Sequence, residues 1–89
     1  MLITDFEVQE CLLGAENGNA EAQFRAGRMF CHGVGVTQDF AAALDWFCQS
    51  ADQGFVAAQF ALGEMYREGK GVEKSAAIAD LWALKAILS

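Results

Sequence analysis

Apolar residues recur along the chain at spacings of three and four, and glycines and helix-capping residues interrupt them at intervals. The first band is Phe6, Val8, Leu12 and Leu13, which gives a partly apolar face to a helix predicted over Thr4 to Ala15. Thr4 and Glu7 form a capping-box pair: the hydroxyl accepts from the backbone N–H three residues on, and the carboxylate reaches back to the cap. Gly14 or the Asn17-Gly18 pair is expected to end this helix. Asn19 opens a second helix through Ala22, Phe24, Ala26, Met29 and Phe30, and Gly33 closes it. Asp39 opens a third, with Phe40, Ala43, Leu44, Trp46 and Phe47 in its band and Gly54 at its end. A fourth is predicted over Val56 to Glu68 with Gly69 as its stop. The fifth starts at the cap Ser75 and carries Ile78, Ala79, Trp82 and Leu84 toward the C-terminus. The pattern predicts an all-α chain of two antiparallel helical hairpins preceded by one helix.

The two hairpins are copies. A shift of 36 residues lays Ala22-Gln23-Phe24, Gly27, Met29, Gly33, Gly35, Val36 and Trp46 onto Ala58-Gln59-Phe60, Gly63, Met65, Gly69, Gly71, Val72 and Trp82, and 13 of 39 aligned positions are identical. A repeat of this length points to stacked helical units that share a continuous core. The repeated residues are small, aromatic or glycine, with no catalytic group among them, so the duplicated chemistry is that of packing. Ala22, Gly27 and Ala43, with Ala58, Gly63 and Ala79, are expected to let helices approach closely while Trp46 and Trp82 fill the core. Glycine within a helix costs roughly 1 kcal/mol relative to alanine, which predicts a neighbouring helix against each of Gly27 and Gly63.

This arrangement resembles the Sel-one-like repeat, a relative of the tetratricopeptide repeat. The resemblance rests on A-Q-x-x-x-G-x-M-[FY]-x-x-G-x-G-V followed by an Asp or Ser cap, an alanine and a tryptophan, and it covers residues 15–89. It implies a short α-solenoid that binds proteins, with no cofactor and no chemistry of its own. Ala26 opposite Leu62 and Ser75 opposite Asp39 depart from strict repetition, and residues 1–14 lack the pattern. The expected organisation is one domain over residues 1–89, with a capping helix at 1–18, a first repeat at 19–54 and a second at 55–89.

Composition narrows the function. With 54% hydrophobic and 20% charged residues the chain has too much apolar and too little charged character for disorder, and it lacks proline. No apolar run reaches membrane-span length, and Met1 to Glu10 has neither the basic start nor the cleavage site of a signal peptide, so the chain is read as cytoplasmic. The net charge of -6 is uneven, with Asp5, Glu7, Glu10 and Glu16 uncompensated in the first sixteen residues. Nucleic acid, which needs clustered cations, is not an expected partner. A protein is, and a basic one would suit the acidic first helix. A second reading follows from that helix: a small acidic inhibitor or immunity protein that covers a basic effector site. Three cysteines, Cys11, Cys31 and Cys48, have no C-x-x-C spacing and only one histidine beside them, so neither a metal nor a cofactor is expected.

Four features are candidates for chemistry or binding. Gly33-Val34-Gly35-Val36 is read as a turn, since it lacks a preceding strand and recurs as Gly69-Lys70-Gly71-Val72. Cys31-His32 suggests a hydrolase only remotely, because adjacent helical residues point about 100° apart. Arg25, Arg28 and His32 stand at i, i+3 and i+7 on one helix face, where the resemblance places the concave surface. Stacking the repeats would set Arg28 beside Glu64 and His32 beside Glu68, either as solvated charge pairs or as groups that read a partner. Finally, Leu84, Ile87 and Leu88 share a stripe of the last helix and form a candidate association patch, for a homodimer or a hetero-complex.

Overall fold

The computed structural model describes residues 4–89. These form α1 (Asp5–Glu16), α2 (Ala20–His32), α3 (Phe40–Asp52), α4 (Val56–Glu68) and α5 (Ala76–Ile87). Each helix packs on the next in chain order, which draws the assembly out to 38 × 23 × 21 Å. The result is an all-α solenoid, and the described residues contain no strand.

Local chemistry sets the helix ends. Side-chain oxygens of Thr4, Asn19, Asp39 and Ser75 accept from the backbone N–H three residues on, at 3.1, 2.8, 3.1 and 3.2 Å respectively. These are the four predicted caps, each satisfying an N–H that the helix itself cannot. Gly33 and Gly69 end α2 and α4 at φ of 67° and 69°, a left-handed conformation that favours glycine. Helix α1 passes through Gly14 and stops at Asn17, so the second of its two expected stops operates.

The core lies among α2, α3 and α4 and joins Cys31, Ala43, Phe47, Ala51, Ala58, Leu62 and Met65. It corrects three expectations. Trp46 and Trp82 are only half-buried, and the aromatic at the centre is Phe47, at 2% exposure. Gly27 makes room for that ring and not for a helix backbone: a Cβ there would stand 2.5 Å from the ring carbons of Phe47. At Gly63 the neighbour is backbone as expected, with the Ala79 carbonyl 3.2 Å from where a Cβ would be. The difference follows from Ala83, which stands one repeat after Phe47 and lets α5 settle directly on α4. Phe6 and Leu13, expected on the buried face of α1, are exposed, while Val8 and Ala15 are buried. Among the described helices α1 packs mainly on α2, so only a narrow strip of it is covered.

The glutamine of each A-Q-F motif ties helices together. Nε2 of Gln23 donates to the carbonyl of Ala15 at 3.1 Å, and Nε2 of Gln59 donates to that of Ala51 at 3.4 Å. Their Oε1 atoms accept from Gln53 Nε2 at 2.8 Å and from Ser89 Oγ at 3.1 Å. These bonds obey the 36-residue shift, so α1 stands to α2 as α3 stands to α4 despite lacking the repeat's residues. Gln59→Leu is expected to lower stability by about 1 kcal/mol, the net value of a satisfied buried hydrogen bond. Urea denaturation followed by circular dichroism measures this.

Candidate protein-binding surface

The repeat places α2 and α4 side by side, with an open groove of about 270 Å³ between them. Arg28 and His32 of α2 form one wall, Glu64 and Glu68 of α4 the other, and Phe47 and Met65 lie at its base. Arg28, His32, Glu64 and Glu68, named from spacing, therefore converge on one surface. Arg25 does not line this groove; with Arg28 and His32, which border both, it lines the neighbouring groove toward α1.

The expected pairs across the α2–α4 groove are not formed. The Glu64 carboxylate takes the Arg67 guanidinium at 2.7 Å, Arg67 also reaches Asp80 of α5 at 3.4 Å, and Glu68 pairs with Lys70 at 3.5 Å. Arg25 is likewise held by Glu21, one turn back, at 2.7 Å. Partners three or four residues away on the same helix are already within reach and need no bridging of the groove. Such exposed pairs are worth about 0–1 kcal/mol each. Among the described residues Arg28 and His32 make no ion pair. The Arg28 guanidinium carbon lies 5.8 Å from the centroid of the Phe24 ring, at the outer range of a cation–π contact.

Phe60 is the residue that sequence reasoning missed. Its recurrence one repeat after Phe24 predicts packing, yet it is 45% exposed and lines the groove. Phe24 lies against Phe47 and Phe55, with ring centroids 5.8 and 5.5 Å away. In the second copy Ala83 stands where Phe47 would be, so Phe60 lacks that ring to pack on. The signal was present in the alignment of the two copies, at the position of the support and not at Phe60 itself.

The Cys31-His32 dipeptide does not form a joint site: Cys31 is buried in the core and His32 is exposed in the groove. Burial raises the thiol pKa of Cys11, and Arg25 opposes that rise. Burial also raises that of Cys48, with Asp52 and Asp45 adding to the effect. Both thiols are thereby held away from the reactive thiolate. Among the described residues no three His, Cys, Asp or Glu side chains converge as a metal site would require, and no helix is long and apolar enough to cross a membrane.

Comparison with known proteins agrees with this geometry. The Sel1 repeat matches residues 20–55 and 56–88. A solved Sel1 repeat protein from Oxalobacter formigenes is similar over 94% of this chain and 64% of its own, with 32% identity and a TM-score of 0.93. A protective antigen present in uropathogenic Escherichia coli strains, displaying an SLR fold, is similar over 91% of this chain and 17% of its own, with 37% identity and a TM-score of 0.88. The chain thus spans less than two thirds of either protein. No curated protein matches it. Two contiguous family matches, covering most of the residues and coinciding with the two observed hairpins, establish that this chain belongs to the Sel1 repeat family.

Proposed function

We propose that this chain is a non-catalytic protein-binding module that engages its partner through the α2–α4 groove. Arg28, His32, Glu64 and Glu68 read charged side chains there, and Arg25 extends the surface past α2. One observation carries the reading: an exposed aromatic, Phe60, lies in a groove where Arg28 and His32 are free of ion pairs. Exposed aromatics and arginines are the residues that most often dominate binding energy at protein interfaces. Membership of the Sel1 repeat family, whose members generally mediate protein–protein contacts, supports the same reading.

The test captures partners on the purified protein and compares it with the variants Arg28→Glu and Phe60→Asp. Reversing Arg28 sits on a solvated surface and is expected to change stability by only ~0.5 kcal/mol. The same reversal should weaken a captured partner by at least ~1 kcal/mol in calorimetry. Affinity unchanged in both variants would remove the groove from the function.

A second contact is supported by a separate observation. Leu84, Ile87 and Leu88 are 53%, 68% and 75% exposed, which supports reading the stripe as a contact surface. We assign it to self-association into a homodimer, whose expected behaviour is argued below.

A further inference from the structure

An open groove of about 740 Å³ lies between α1 and α2. We propose that it receives an amphipathic α-helix from a partner protein, seated as α2 itself is seated against α3 and α4. This rests on the reading of the chain as a protein-binding module and adds the form and charge of what is bound.

Internal symmetry carries the argument. Helix α2 is held by the next pair through four side chains: Phe47 over Gly27, Ser50 donating to the Ala20 carbonyl at 2.7 Å, Gln53 donating to Gln23, and Phe55 against Phe24. Moved back by 36 residues, these positions are Cys11, Gly14, Asn17 and Asn19. Cys11, Gly14 and Asn19 line the α1–α2 groove. Since α1 stands to α2 as α3 stands to α4, the groove occupies the position in which the repeat seats a helix. Its contents differ from those of the repeat. Cys11, Gly14 and Asn19 are smaller than Phe47, Ser50 and Phe55, so an incoming helix needs larger side chains than the Gly27 and Phe24 that α2 presents.

Charge specifies the rest. Glu7 and Glu10 line the α1 wall where the repeat has Ala43 and Trp46, and both are exposed. On the α2 wall Arg25 is neutralised by Glu21, which leaves Arg28 and His32. An occupant therefore carries large apolar residues on its inner face, Lys or Arg along the edge toward α1, and Asp or Glu along the edge toward α2.

The test uses a stapled helical peptide of 13 residues, the length of α2, with leucines on the inner face, lysines along one edge and glutamates along the other. A second peptide carries glutamates along both edges. Turning a helix end for end exchanges its edges, so only a comparison of mixed with uniform edges is independent of binding direction. Fluorescence anisotropy on the full chain is expected to show the mixed peptide binding at least roughly tenfold tighter than the acidic one. The variant Glu7→Lys with Glu10→Lys should reverse that preference, and its circular dichroism spectrum should be unchanged. Equal binding of both peptides, no binding, or an unreversed preference would overturn the proposal. So would amide chemical-shift changes confined to Phe60 and Glu64, and that outcome leaves the α2–α4 reading standing. Sedimentation that showed self-association abolished by the same two substitutions would give the groove to a second copy and overturn the proposal as well. Arg28 borders both grooves and Phe60 only the second, so if the α1–α2 preference holds while a captured partner ignores Phe60→Asp, the α2–α4 reading falls and this one stands.

Discussion

Replacing Phe47 by alanine is expected to destabilise the protein by about 3–5 kcal/mol, the range for truncating a fully buried aromatic ring. The ring is 2% exposed and lies between Gly27 of α2 and the α3–α4 core, so its loss leaves a cavity that three helices border. A domain of this size has about 5–10 kcal/mol in hand, and the variant should be close to unfolding at physiological temperature. The companion variant Gly27→Ala isolates the reason. Alanine favours the helix by roughly 1 kcal/mol, but its Cβ would meet the Phe47 ring at 2.5 Å. Overpacking of this kind costs about 1–3 kcal/mol, so a net loss is expected. Gly27→Ala combined with Phe47→Leu should lose less than the two single changes added together, since the smaller side chain yields the space. Urea denaturation of the four proteins measures the coupling. A loss below about 1 kcal/mol for Phe47→Ala would mean that the ring is not the core's centre. Trp82→Ala should cost less than Phe47→Ala, because Trp82 is only half-buried, with Lys85 above its ring.

What the sequence made legible, and what it hid, follow from the range of the interactions involved. The caps Thr4, Asn19, Asp39 and Ser75 and the stops Gly33 and Gly69 act within one turn, so local pattern found all six. The hairpins were legible because the chain states them twice. Which aromatic is central was not, because periodicity puts Trp46 and Phe47 in the same band and only the contact with Gly27 separates them. Arg28, His32, Glu64 and Glu68 border one groove, but the ion pairs expected across it are not formed. Arg67 and Lys70 lie closer to Glu64 and Glu68 along the chain than anything across the groove, and the repeat alignment drew attention to the cross-groove neighbours instead. Gln23 and Gln59 were seen as part of the repeat without a role, since a buried amide bridging two helices has no signature beyond its recurrence.

The isolated protein is expected to self-associate through α5. Helical geometry explains why the patch faces outward: Ala79 and Ala86 are buried, and Leu81, Leu84 and Leu88 project on the opposite side of the same helix with Ile87 at its flank. The 36-residue shift adds a second argument. Ile87 stands where α3 has Ala51, and Ala51 is buried in the core that α3 shares with α4. The chemistry of a helix-covered surface is therefore present on α5, with larger side chains. Burying an exposed leucine or isoleucine fully is worth about 1.5–3 kcal/mol, and these residues are already partly covered, so each has roughly half of that to gain. A two-fold contact counts every residue twice. Against this stands the loss of translational and rotational freedom, put at about 4–15 kcal/mol, so a weak dimer with a dissociation constant on the order of micromolar to millimolar is the expected balance. Ile87→Asp with Leu88→Asp places charges in the patch and should give a monomer by sedimentation equilibrium. Helicity should be unchanged, because neither side chain contributes to the buried core. A protein that is already monomeric at high concentration would show that α5 does not carry self-association. Loss of helicity in the double variant would instead place Ile87 and Leu88 in the packing of the second hairpin.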